Sequence, residues 1–218
     1  MDFAAARRFM VDGQLRPNRV EDPRIVAALR ELPRERFVPP ALAARAYADA
    51  DIPLPGGRAM LKPLVIARLV QLTGLKRGER ALVLAAGTGF GAALLAAIGG
   101  IVTAVEADPA LLAVARAALP AAAPADSVTV VQADPALGYA AGAPWDVILI
   151  EGGVGQVPQA IEEQLAEGGR LVTIGLAGGP PGRALLARRA GGTTTTTPAF
   201  DAHAPALAGF AAAPAFAF

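Results

Sequence analysis

From residue 80 onward the chain alternates between short apolar runs and stretches whose apolar residues recur at helical spacing. The apolar runs are 80–85 (RALVLA), 101–106 (IVTAVE), 128–132 (VTVVQ), 146–151 (DVILIE) and 170–175 (RLVTIG). Apolar on both faces, they predict strands of a buried sheet. The stretches 91–98, 109–119 and 158–166 predict the helices between them, with Asp108-Pro109 as N-cap and first-turn proline and with Gly99-Gly100 and Gly168-Gly169 as closing residues. Strands that alternate with helices, joined by right-handed crossovers, give a doubly wound, mainly parallel α/β sheet.

The two ends read differently. The first sixty residues predict short helices joined by proline-rich loops. Asp22-Pro23 opens one helix, in which Ile25, Val26, Leu29 and Leu32 recur at helical spacing before Pro33. Residues 53–57 (PLPGG) predict a tight loop, and 63–72 a further helix closed by Gly74. Residues 184–190, the turn Gly191-Gly192 and the threonine run 193–197 predict antiparallel edge strands, finishing in FAF at 216–218.

Composition narrows the function. A chain of 218 residues, 54% hydrophobic and 18% charged, can bury a core of one domain with an N-terminal extension. The mean hydropathy of +0.43 comes largely from alanine; no run is long and apolar enough to predict a membrane span, so no membrane partner is expected. Asp2, Arg7, Arg8 and Asp12 interrupt any export signal, which makes the cytoplasm the expected compartment. A net charge of +1 implies no nucleic-acid partner. With no cysteine and a single histidine, His203, flanked by alanines, thiolate chemistry is excluded and neither a metal site nor a histidine base is expected.

The informative segment is the turn after the first strand of the alternating region, Ala86-Gly87-Thr88-Gly89-Phe90-Gly91. Glycines at a strand-to-helix turn let the backbone approach a ligand, and the following helix offers free N–H groups there. The next strand ends in Glu106, placed to accept hydrogen bonds from a ribose diol, and Asp134 follows the third strand, within reach of an adenine or ribose. Gly87, Gly89 and Ala92 also satisfy the dinucleotide pattern G-x-G-x-x-A, so a nicotinamide enzyme is one alternative.

With these residues in hand, the chain resembles the protein-L-isoaspartate O-methyltransferases, a class I, Rossmann-like methyltransferase family. The resemblance rests on MVDGQL (10–15), PRERFVPP (33–40), AYADADIPLPGG (46–57), QADPALG (132–138), PWDVILIEGG (144–153) and QLAEGGRLVTIG (164–175), in order along the chain. It implies S-adenosylmethionine as cofactor, bound by Ala85, Gly87, Thr88, Gly89, Glu106 and Asp134. It implies a peptide or protein carboxylate at an isomerised aspartate as acceptor, with a small molecule as the alternative. It divides the chain into a helical extension with an acceptor-side loop (1–75) and a cofactor-binding domain (76–218).

The sequence departs from the family at three places. The acceptor-side loop Arg58, Ala59, Met60, Leu61 and Lys62 lacks the family's threonine and serine, at Ala59 and Leu61. Val83 and Ala85 stand where the family brings an acidic residue and a glycine. Glu151 closes the fourth strand where the family has a small residue, and it is the candidate catalytic group, as a general base or as the holder of a cationic substrate, with Arg58 or Lys62 for an anionic one. These departures keep open a catalytically inactive descendant retained for binding or assembly.

Overall fold

The computed structural model describes residues 2–177 and 181–211; the expected terminal segment 216–218 lies outside them. The N-terminal part contains helices α1 (Phe3–Met10) and α2 (Pro23–Glu31). As expected, Asp22 caps α2, its Oδ1 accepting the Arg24 N–H at 2.9 Å, and Ile25 and Leu29 turn inward. A small hairpin of β1 (Ile52–Pro53) and β2 (Ala59–Met60) encloses the loop 54–58, and α3 (Pro63–Thr73) ends at Gly74 in the left-handed conformation.

The remainder runs β3 (Arg80–Leu84), α4 (Phe90–Ala97), β4 (Ile101–Glu106), α5 (Pro109–Ala118), β5 (Val128–Gln132), β6 (Trp145–Val154), α6 (Gln159–Glu162), β7 (Leu165–Gly175), β8 (Arg183–Ala190) and β9 (Thr193–Asp201). The sheet has the order β5-β4-β3-β6-β7-β8-β9. Pairing is parallel from β5 to β7 and antiparallel from β7 to β9. The strand order reverses at β3, between β4 and β6, and this is the point where open α/β sheets form a ligand crevice.

Two elements differ from the sequence pattern. The helix expected over 158–166 is a single turn, α6, because β7 begins at Leu165. Trp145, almost fully buried, donates its backbone N–H to the Gln164 carbonyl at 2.9 Å and pairs with Leu165, and this early pairing leaves no room for a longer helix. The fourth strand does not stop at Glu151. It continues through Gly152 and Gly153 to Val154, because the segment 204–210 lies against it: Gly153 donates to Pro205 and accepts from Leu207, both at 2.8 Å. A Cβ at Gly152 would stand 2.5 Å from Leu207 Cγ, so glycine is what admits this strap.

A hydrophobic cluster on one face of the sheet takes residues from α1 through α5 together with inward side chains of β3, β4, β6 and β7, and a smaller cluster fills the other face. Arg170, on β7, ties α3 to the sheet through Thr73 and Gly74 carbonyls and an ion pair with Glu79 at 2.6 Å. No helix among the described residues is long and apolar enough to cross a membrane.

Candidate active site

The turn from β3 into α4 carries three consecutive demands on its backbone. Ala85, Gly87 and Gly89 all have positive φ, of 53°, 56° and 91°. Glycine meets such a value without strain, whereas an alanine there costs about 1–2 kcal/mol. The two glycines serve different ends. A Cβ on Gly89 would lie 3.2 Å from Ala115 Cβ, so this residue lets α5 approach. A Cβ on Gly87 would meet only side-chain tips, Leu54 Cδ1 at 3.8 Å and Arg58 Nη2 at 3.9 Å, so the face of Gly87 is covered by side chains rather than by backbone.

Glu106 is 2% exposed, and its carboxylate is the hub of the site. Oε2 accepts the Gly87 N–H at 2.7 Å, while Oε1 accepts Ala107 and Asp108 N–H at 2.9 and 3.1 Å. Arg58, held on the tip of the β1–β2 hairpin, completes the shell. Its Nη1 lies 3.2 and 3.0 Å from the two oxygens of Glu106, and its Nη2 donates to the Ala85 carbonyl at 2.6 Å. Arg58, expected on the acceptor side, thus sits on Glu106, the carboxylate expected to serve the cofactor, a placement that only the hairpin's position could reveal.

Beyond Arg58 a groove of about 550 Å³ runs past Glu106 and Asp134 to the strap residues Leu207 and Gly209. Asp134 lines it while capping a helical turn, its Oδ1 accepting the Ala136 N–H at 2.9 Å. On the other side of the hairpin a second, largely apolar groove of about 600 Å³ lies between Val38, Pro39, Leu54 and α5, with Thr88 at its edge. At the turn itself the space shrinks to a cavity of about 10 Å³, room for one water, bounded by Arg58, Ala59, Met60, Gly87, Thr88 and Glu151.

Glu151 reaches this cavity from β6, packed so closely on α4 that a Cβ at Gly91 would overlap its carboxylate. The residue keeps some exposed surface, but its Oε1 is sealed from solvent and has no hydrogen-bond partner. Enclosure pushes its carboxyl up to about 8, against the opposing pull of Arg58 and Arg34 and with a smaller push from Glu106. This raised value favours the protonated, hydrogen-bond-donating form of the group around neutral pH.

Arg34 went unmarked as a site residue in the sequence, where it was visible only within the PRERFVPP stretch. It is fully buried, stacked on Phe90 at 4.6 Å, and donates to the Ala46 carbonyl at 2.7 Å and to that of Leu61. Burial pulls its guanidinium down to about 9, countered by Tyr47, Glu151 and Asp51. It ties together the backbone at Ala46 and Leu61, on either side of the hairpin that carries Arg58. The structure thus brings Arg58, Ala59, Met60, Ala85, Gly87, Thr88 and Glu151 together, with Glu106 and Asp134 along the groove. Leu61 and Lys62 are not among them: Leu61 is buried in the core, and Lys62 pairs at the surface with Asp49 at 3.5 Å.

Comparison with known proteins gives a consistent picture. The family model of the protein-L-isoaspartate(D-aspartate) O-methyltransferases matches residues 7–178. A protein-L-isoaspartate O-methyltransferase 1 of Rhodopseudomonas palustris (strain HaA2) is 42% identical over 170 residues, covering 78% of this chain and 69% of the relative. A protein-L-isoaspartate O-methyltransferase of Methylorubrum populi is 38% identical, covering 84% of each chain. Among solved structures, a protein-L-isoaspartate O-methyltransferase superposes with a TM-score of 0.80 at 24% identity, over 94% of this chain and 67% of the other. A beta-aspartate methyltransferase from Plasmodium falciparum, in complex with S-adenosyl-L-homocysteine, superposes with a TM-score of 0.79 at 15% identity, over 92% and 97%.

Proposed function

This chain belongs to the protein-L-isoaspartate(D-aspartate) O-methyltransferase family, and on that premise we propose that it is an S-adenosylmethionine-dependent methyltransferase acting on a carboxylate of a peptide or protein. The observation that carries the reading is the groove at the carboxyl edge of the sheet, where Gly87 backs onto Glu106 and Asp134 stands further along. The residues fit the cofactor. The groove has room for a nucleoside beside Glu106 and Asp134, and what covers Gly87 and Glu106 is the movable end of the Arg58 side chain, whose displacement would free Glu106 for a ribose diol. In this reading residues 76–218 hold the cofactor and 1–75 form the acceptor side.

When bound, S-adenosylmethionine supplies a methyl group on a sulfonium; the acceptor oxygen bonds to that carbon as the C–S bond breaks, the electron pair stays on sulfur, and no proton moves. The protein's part is then to position the acceptor and exclude water. Thr88 stands where the turn meets the apolar groove, which suits the entry of a peptide. Glu151 is the candidate catalytic group. Protonated at neutral pH, it suits hydrogen bonding to an anionic oxygen better than deprotonating a neutral one, which supports a carboxylate acceptor.

The test is thermal unfolding with S-adenosylhomocysteine, followed by radiolabelled methyl transfer to an isoaspartyl peptide and its aspartyl twin. Ligand at about 100 times Kd stabilises by about 2.7 kcal/mol, a rise of roughly 5–10 °C in Tm for a chain of this size. No shift at millimolar ligand ends the cofactor reading. A second reading, a catalytically inactive descendant retained for binding or assembly, is favoured by the Arg58–Glu106 pair and by the missing hydroxyls at Ala59 and Leu61; it predicts no labelled peptide, with or without the shift.

A further inference from the structure

The site carries its own cation. Arg58, 16% exposed at its side chain, spans Glu106 and the Ala85 carbonyl, and its Nη2 lies over Gly87. Glu106 already accepts three backbone N–H groups, so the guanidinium occupies the remaining acceptor capacity that a ribose diol would use. The result is lopsided. The groove past Asp134 is open, at about 550 Å³, whereas the crevice over the turn is reduced to about 10 Å³.

A ligand with only a sugar and a base gains Glu106 by stranding Arg58. Among the described residues the other carboxyl on that cavity is Glu151, whose enclosure pushes it up to about 8 and so weakens it as a counter-charge. Val83, within β3, is fully buried and uncharged. A ligand that brings its own carboxylate to the turn solves the problem, because the planar fork of an arginine matches a carboxylate with two hydrogen bonds.

Resting on the cofactor reading above, we propose that Arg58 is the specificity-determining residue of the nucleoside site: it bars Glu106 to plain nucleosides and yields to an adenosyl amino acid, whose carboxylate takes the guanidinium while its ribose takes Glu106. Arg58 thereby changes from plug to clamp. The exchange conserves ion pairs, since one carboxylate partner replaces another. Selectivity arises from what the ligand carries rather than from pocket shape.

The experiment is calorimetric titration of wild type, Arg58→Ala and Arg58→Gln with adenosine and with S-adenosylhomocysteine, with each variant's Tm measured to confirm folding. In both variants adenosine binds more tightly than to wild type and S-adenosylhomocysteine more weakly. The ratio of the two affinities falls by roughly 10- to 100-fold, the worth of a charge-assisted hydrogen-bonded pair. Equal tightening of both ligands makes Arg58 a plug only and overturns the proposal, as does an unchanged ratio. If neither ligand binds wild type or variants, the cofactor reading falls and this one with it, whereas binding with an unchanged ratio sinks this one alone.

Discussion

At the scale of single residues, the site is built from side chains and backbone held in costly states. Ala85 holds a φ of 53° where the backbone calls for glycine. Ala85→Gly relieves that strain while giving back some unfolded-state entropy, so we expect a net gain of about 0.5–1 kcal/mol in urea unfolding; a loss would show that the methyl group packs better than its backbone suffers. Glu151 is held near 8, well above its ordinary 4.5. The folded protein therefore keeps a proton that the unfolded chain releases, and stability declines as pH rises from about 4.5 to 8 and is level beyond. Glu151→Gln carries no such proton. Its urea midpoint relative to wild type is expected to climb between about pH 4.5 and pH 8, and parallel curves would place Glu151 in an ordinary ionised state.

At the scale of elements, β6 and the strap 204–210 decide the shape of the groove. Gly153 has Leu176 Cδ1 2.7 Å and the Ala204 carbonyl 3.0 Å from where a Cβ would be. Gly153→Ala must push the strap outward, costing about 1–3 kcal/mol, and is expected to speed hydrogen exchange at Leu207. Unchanged exchange there would mean that Leu176 alone gives way. The Gly-Gly pair was visible in the sequence, but its use was not, because the partner segment lies fifty residues downstream and has no strand pattern of its own. The single turn of α6 has the same origin: the helical spacing of 158–166 was genuine, and pairing of the buried Trp145 with Leu165 overrode it.

For the whole molecule, the extension and the sheet share a core, and this changes how substitutions act. Arg170 is nearly buried between α3, Glu79 and β7. Arg170→Met leaves Glu79 without its cation and two carbonyls without a donor, at an expected cost of about 3 kcal/mol by denaturant unfolding; a near-neutral result would show that Glu79 simply turns to solvent. Leu61, which stands where the family has serine, is 2% exposed within this core. Leu61→Ser is thus expected to lose about 2–4 kcal/mol, through a cavity and a buried hydroxyl, with no gain in methyl transfer. A gain in labelled product would mean that the side chain reaches the acceptor after all.

The alternation of apolar runs and helical stretches was sufficient by itself to determine a doubly wound sheet with antiparallel strands at its end. The glycines at 87 and 89 and the carboxylates at 106 and 134 pointed to the carboxyl edge of that sheet, where the proposed cofactor groove lies. These are local properties: periodicity and backbone freedom are written within a few residues of where they act. Tertiary structure alone decided that Arg58 meets Glu106, that Arg34 is buried against Ala46 and Leu61, that Glu151 has one oxygen sealed and its carboxyl pushed up, and that Leu61 and Lys62 point elsewhere. Each of these depends on which distant segment comes to rest against which. A charge changes meaning with its neighbours and its distance from water, and neither is encoded at the residue's own position.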